Sequence, residues 1–210
     1  MLDEEAVGVS RHKNTDVQGD AHGHTPEKDT SGTQPPDQDI RTVSRQIRHS
    51  PSAPDHAASM ELRRQQNDSW CAPASAETVL WFFRYEYDQA TIAAELNQGT
   101  PAAPAGFDSF NPDRIGDVLR RLSSNALEVV QQQKPDWHFF KDAIDRNHPV
   151  IGMLSSHVHV VAGYDESWQE GDTVTPRRRI WVLDPLRGPR WQSFGFVPHW
   201  MAFAVGLVDH

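Results

Sequence analysis

One cysteine in 210 residues leaves no material for a disulfide framework or for a multi-cysteine zinc or iron–sulfur site. A lone thiol suits a reducing compartment, or a secreted protein that does not depend on bridges. No apolar run reaches the roughly 18 residues of a membrane-crossing helix, so no membrane span is expected. The first 20 residues have no basic start followed by an apolar stretch, so no ordinary secretory signal is expected. Lys and Arg number 20 against 29 Asp and Glu, a net charge of −9 with neutral His. Such a balance lacks the concentrated basic face that nucleic-acid binding requires. Only 37% of residues are hydrophobic, which would make a thin core if they were spread evenly.

They are not spread evenly. Residues 1–57 contain none of the 19 aromatic side chains, and the first is Trp70. This segment carries 10 acidic and 6 basic residues among Gln, Ser, Thr, His, Pro and Gly. A stretch of that composition buries too little apolar surface to offset the entropy of ordering it. It is expected to be a disordered polar leader, with the folded domain at 58–210. His22 and His24 could suggest a metal, but no ligand-bearing neighbours support them, and a tail or an export address is the plainer reading.

Within the folded part, Ala76, Val79, Leu80 and Phe83 recur at helical spacing, with Pro73 tolerated in the first turn. Further helices are expected over 89–96, from Asn111 as cap with Pro112 first, and over 135–146. The third presents Ile115, Val118, Leu119 and Leu122 on one face. Short apolar runs at 127–130, 150–154, 157–164, 179–183 and 202–208 read as strands, with another around 191–197. Ser155-Ser156, the polar loop 166–176 and Asp184-Pro185 break them. Helices followed by strands predict an α+β domain on an antiparallel sheet.

Cys71 opens the first of these helices. A helix N-terminus carries partial positive charge and unpaired N–H groups, which favour a thiolate. A buried structural cysteine is the competing reading. A cysteine nucleophile needs a base, and the base needs an orienting group. His157 and His159 stand at i and i+2 on one expected strand, so both point to the same face. Asp184 ends a later strand, where a carboxylate can accept a hydrogen bond from an imidazole. Asp165 and Asp172 compete with it for that place.

With these residues in order, the sequence resembles papain-like cysteine peptidases over about residues 60–208. In that superfamily a glutamine lies six residues before the cysteine, as Gln65 does before Cys71. The family histidine begins a strand and precedes Gly-Tyr by six residues. His157 meets this with Gly163-Tyr164, whereas His159 lies two residues too close. Gln65-Gln66 followed by Trp70-Cys71-Ala72 is most similar to the short bacterial branch of bacteriocin-processing peptidases, staphopains and avirulence effectors. Leu183-Asp184-Pro185 resembles the branch that uses Asp as orienter. The hairpin at 166–179 is longer than the family pattern suggests. Without transporter segments, a free-standing enzyme is expected.

The resemblance implies the roles. Cys71 attacks a peptide carbonyl, and His157 acts as base and then acid. Asp184 orients the imidazole, and Gln65, rather than Gln66, joins the Cys71 N–H in the oxyanion hole. No cofactor and no metal are implied; a protein or peptide is the expected substrate, and a monomer the expected state. The same triad would serve deamidation, transglutamination or other acyl transfer. A zinc site of Cys71, His157 and His159, or a binding module without activity, stands as an alternative from another class. His159 is otherwise expected to be a satisfied core histidine, and the 191–200 stretch, aromatic enough to line a substrate groove, is more simply expected to pack in the core. Arg177, Arg178 and Arg179 are expected on a solvated hairpin face. The leader suggests a protein cytoplasmic in its producer, exported by a specialised machine as an effector or toxin and matched by an immunity partner. Housekeeping or self-processing inside the cell would fit as well.

Overall fold

The apolar runs of the C-terminal half become one antiparallel sheet, and the helical periodicities before them become the layer that packs against it. A computed structural model of the chain describes residues 40–46, 60–105, 111–169 and 176–208. The helices are α1 (Cys71–Phe82), α2 (Gln89–Glu95), α3 (Arg114–Leu122) and α4 (Trp137–Asp145). The strands are β1 (Ile40–Gln46), β2 (Gly99–Thr100), β3 (Ala103–Pro104), β4 (Leu127–Gln133) and β5 (Val150–Met153). They continue with β6 (Val158–Gln169), β7 (Arg177–Asp184), β8 (Gly188–Ser193) and β9 (Met201–Leu207). The main sheet runs β4-β9-β5-β6-β7-β8, and β2 and β3 make a separate small ladder. The architecture is α+β, as expected. No described helix is long and apolar enough to cross a membrane.

The strand β1 departs from expectation, because residues 40–46 fall inside the segment read as disordered. Its position explains it. β5 covers only Val158–Val161 of the long strand β6, and β1 pairs with Gly163–Gln169 where β5 has ended. Pairing there satisfies an otherwise bare backbone edge and needs no apolar core of its own. The β-branched Ile40, Thr42 and Val43 suit that role. The rest of 1–57, including His22 and His24, lies outside the described residues.

All four helices end alike. Arg84, Asn97, Ser124 and Asn147 take left-handed backbone at φ of 70°, 59°, 54° and 62°. The next residue then donates back to the carbonyl three before the helix's last turn closes. Tyr85 N–H reaches Leu80 O, Gln98 N–H reaches Ala93 O, Asn125 N–H reaches Arg120 O and His148 N–H reaches Ala143 O. At the starts, Asp88 accepts from Thr91 N–H and Asp136 from Phe139 N–H. The third helix begins later than expected. Asn111 and Pro112 form a preceding turn, in which Asn111 Oδ1 accepts from Asp113 N–H, and Asp113 takes the cap position.

The helix α1 is buried along almost its whole length and packs on β5 and β6, with Ala72, Ala76, Val79 and Leu80 in the core. One part of this core is polar. His159 in β6 stands opposite Gly152 in β5, and its Nε2 lies 2.8 Å from Nε2 of His199. A side chain at 152 would put its Cβ 2.7 Å from the His199 ring and 3.2 Å from His159 Nε2. The Gly152→Ala protein is therefore expected to lose about 1–3 kcal/mol of stability, as overpacked cores do. Chemical denaturation measures this, and an unchanged midpoint would show that the two imidazoles yield freely.

Candidate active site

A short, tightly tied loop delivers Cys71. Asn67 O accepts from Trp70 N–H, and Asn67 Oδ1 accepts from Ser69 N–H. Trp70 is fully buried and donates through Nε1 to Gln98 O at 3.0 Å, which anchors the loop to the end of α2. The first bond of the α1 turn runs from Ala74 N–H to Trp70 O. The N–H groups of Cys71 and Ala72 thus precede the helical ladder, and Pro73 has none to orphan. The Cys71 sulfur sits at a helix start with little contact with solvent.

His157 lies just ahead of β6, where its carbonyl accepts from Leu154 N–H at 2.8 Å. Its Nε2 is 3.0 Å from Asp184 Oδ1, and its side chain also hydrogen-bonds the Cys71 side chain. With Nε2 on the carboxylate, Nδ1 is the nitrogen left for the sulfur. Burial opposes charge on this imidazole. The hydrogen bonds to Asp184 and Cys71 outweigh it and raise the His157 pKa to about 9.

Asp184 is almost wholly buried at the end of β7. Its Oδ1 also accepts from the N–H groups of Leu186 at 2.9 Å and Arg187 at 3.0 Å. Its Oδ2 accepts from Arg190 Nη2 at 2.7 Å. Burial works against the charged carboxylate, but the bonds from His157 and the two backbone N–H groups prevail. They hold Asp184 well below the usual carboxylate range.

Gln65 reaches the same region through its backbone, whose N–H donates to Pro185 O at 3.2 Å. Its side-chain Nε2 donates to Asn67 O at 2.9 Å, and its Oε1 is buried without a hydrogen-bond partner. Gln66 is exposed and ties its N–H to Gln89 Oε1 instead. The structure therefore gathers Cys71, His157 and Asp184 into one chain of contacts and places Gln65 beside the Asp184 turn.

The competing assignments fall elsewhere. Asp165 pairs with Arg179 across β6 and β7, away from the imidazole, and Asp172 lies outside the described residues. His159 is a core histidine held neutral by burial and committed to His199. Among the described residues no group of three His, Cys, Asp or Glu side chains has metal-holding geometry. Two surface expectations need correction. Arg178 and Arg179 are partnered by Glu166 and Asp165 across the hairpin, rather than simply solvated. The 191–200 stretch is not uniformly core: Phe196, in a tight turn at Phe194–Phe196, is 89% exposed, and Trp200 is partly so.

That stretch helps enclose a cleft of about 640 Å³ on the far side of His157. His157, Asp184, Arg187, Arg190 and Phe196 stand in its walls, whereas Cys71 and Gln65 do not. Sequence reasoning missed Arg190, the two N–H donors after Asp184 and His199. A signal for the first existed. Asp184-Pro185 and Gly188 enclose a turn, and the β7–β8 register pairs Val182 with Arg190. Gly188 takes φ +93°, which strains any side chain, and Arg64 Nη2 lies 2.9 Å from where its Cβ would stand.

Comparison with curated protein sequences gave no match. Among solved structures, the chain is similar to a double glycine motif protease from an AMS/PCAT transporter, solved with the leader peptide. That likeness has 12% identity and a TM-score of 0.49, over 79% of this chain and 99% of the other. The peptidase domain of Streptococcus ComA, a bi-functional ABC transporter, gives 15% and 0.49 over 71% and 99%. UfSP from C. elegans gives 13% and 0.46 over 80% of this chain and 34% of that one. The Peptidase_C39 like family matches residues 58–200, more than half of the chain. The chain belongs to that family, and it is a papain-like cysteine peptidase by that membership.

Proposed function

We propose that the chain is an endopeptidase that cleaves peptide bonds through a thioester on Cys71, with His157 as base and acid and Asp184 as its orienter. The observation that carries this reading is the unbroken contact chain from Cys71 through His157 to Asp184. The nucleophile is the thiolate, and a charged His157 supplies a positive partner next to the sulfur. Attack on the carbonyl carbon forms a tetrahedral intermediate with its charge on oxygen. The Cys71 N–H, which lacks an intrahelical acceptor, and the second Nε2 proton of Gln65 are the donors we assign to that oxygen. As the intermediate collapses, His157 gives its proton to the leaving amine and the acyl group stays on sulfur. Water, deprotonated by the now neutral His157, then attacks the thioester and frees Cys71.

Asp184 acts through position. Four donors fix its carboxylate, so Nε2 of His157 is held toward Oδ1 and Nδ1 toward the sulfur. A zinc site of Cys71, His157 and His159 is less consistent with the geometry, since His159 Nε2 is committed to His199. The setting we assign, a delivered bacterial effector or toxin with an immunity partner over the cleft, rests on the resemblance to the short bacterial branch.

Terminal-peptide proteomics of a cell extract treated with the protein tests the chemistry. New N-termini are expected with the native chain and none above background with Cys71→Ala. Modified side chains without new termini would replace hydrolysis by acyl transfer. The Asp184→Asn protein is expected to lose about 10²–10⁴-fold in kcat/KM on any peptide so identified, because the amide nitrogen would face Arg190 or His157 as a second donor.

The pH dependence has a defined sign. The folded His157 pKa of about 9 lies above the ordinary histidine value of 6.5. Its interactions therefore stabilise the fold fully below about pH 6.5 and are lost as pH rises through about 9. The His157 proton that the leaving amine needs is lost over the same alkaline range, so kcat/KM is expected to fall there. Asp184→Asn is expected to move that limb to lower pH. Histidine NMR gives a direct check: His157 should titrate near 9, and His199, held down by burial, near 4. A His157 titration at an ordinary value would overturn the electrostatic account.

A further inference from the structure

The cleft beside His157 is a part of the site that the triad itself does not use. It lies on one definite side of the reaction. His157 and Asp184 form part of its wall, and no residue of α1 does. The general acid must stand next to the amine it protonates, so the peptide that follows the broken bond leaves over His157. The cleft is therefore where that leaving segment would lie.

Its charge is opposite to that of the molecule. The chain carries −9 overall, yet the cleft is lined by Arg187, Arg190 and His157 against one acid, Asp184. That acid is already spoken for. Arg190 takes Oδ2, while His157 and two backbone N–H groups share Oδ1. The Arg187 guanidinium is exposed and has no ion-pair partner among the described residues. The hydroxyls of Ser155 and Ser156, both exposed, add neutral donors to the wall. Leu186 and Phe196, 51% and 89% exposed, offer apolar surface beside these polar groups. A positive pocket in a negative protein selects locally for an anionic group that the rest of the surface repels.

We propose that this cleft is a subsite for a carboxylate on the leaving side of the scissile bond, with Arg187 as its principal cation. The reach follows from the shared oxygen. Arg187 N–H and His157 Nε2 both meet Asp184 Oδ1, so the Arg187 side chain starts one carboxylate away from the general acid. An extended peptide advances about 3.3 Å per residue, and an arginine side chain spans about two such steps. The carboxylate belongs within about the first three residues after the cut. It comes from an Asp or Glu side chain or from a free C-terminus close to the bond. This specificity rests on the peptidase reading above, and the test separates the two.

The test digests proteome-derived peptides, with free and with amidated C-termini, using the full-length protein. Asp and Glu are expected at the first three positions of the released products about two to five times more often than Asn and Gln, the range of a partly exposed ion pair. Arg187→Gln should abolish the preference, and Arg187→Glu should turn it toward Lys and Arg. Cleavage without acidic preference, or a preference that survives Arg187→Gln, overturns the proposal and leaves the peptidase reading standing. A second arm needs no turnover. Labelled synthetic tripeptides are titrated onto Cys71→Ala protein in three forms: acidic and amidated, neutral with a free carboxyl, and neutral and amidated. Tighter binding of the first or the second names the source of the carboxylate, and either gain should shrink with added salt and with Arg187→Gln. If no peptide is cut, the peptidase reading fails, yet this arm still decides the cleft. Equal binding of all three forms overturns the inference.

Discussion

The carboxylate of Asp184 is the constraint on which the rest of the site depends. A buried charge is tolerated only when its lone pairs are filled, and here four donors fill them. Each donor has a structural consequence. The N–H groups of Leu186 and Arg187 close the turn after β7, which sets the β7–β8 hairpin. Arg190 comes back along β8 to reach the second oxygen. The remaining position on Oδ1 is the one that His157 occupies. The same four bonds that satisfy the buried charge thus orient the His157 imidazole, and the orientation cannot be altered without leaving the anion a donor short.

The turn that Asp184 closes also joins the two halves of the site. Gln65 N–H bonds Pro185 O, and Arg64 Nη1 bonds Leu186 O. The loop that presents Cys71 is thereby stitched to the hairpin that presents Asp184. Gln89 strengthens the stitch from α2, accepting from Gln66 N–H and donating to Arg64 O. The helix that carries Cys71 is buried against the strands that position His157 and Asp184, so Cys71 and His157 rest on one packed core. Rigid elements on both sides are what such a contact chain needs, because small displacements lose the geometry of proton transfer.

Much of this was readable in the residues, and the failures share a cause. Cys71 at a helix start followed from Pro73 and the spacing of Ala76, Val79 and Leu80, all local signals. Asn97 and Asn147 advertise left-handed helix ends by residue type. Arg84 and Ser124 do the same work and give no such sign, since tertiary packing overrides their preference. The fourth helix, expected over 135–146, starts at Trp137 behind the Asp136 cap, so only its ends moved. The strand at 40–46 was illegible because its stability lies in the edge of β6, more than a hundred residues away. Arg190 and His199 were missed for the same reason. Their roles depend on register between strands, and register is fixed only once the turn at Gly188 and the pairing of β5 with β9 are known.

Register also supports the proposal of His157, rather than His159, as the base. His157 and His159 share a face, with ring centroids 6.2 Å apart, and spacing to Gly163-Tyr164 was the sole sequence distinction between them. Their surroundings differ in kind. His159 sits opposite Gly152 with its Nε2 on a second imidazole and no carboxylate bonded to it, so protonation would place an unpaired charge in the core. His157, two residues nearer the surface and 22% exposed, has a carboxylate on Nε2 and feels the Cys71 side chain, both of which favour its protonated form. One imidazole is built to stay neutral and the other to hold a proton. The inner pair is packed as well as buried: Phe140 lies against the His199 ring, and Gly152 leaves the two imidazoles room to meet, while burial holds His199 neutral. The proton therefore rests on the outer histidine, where a carboxylate receives it, and the inner imidazoles serve the packing.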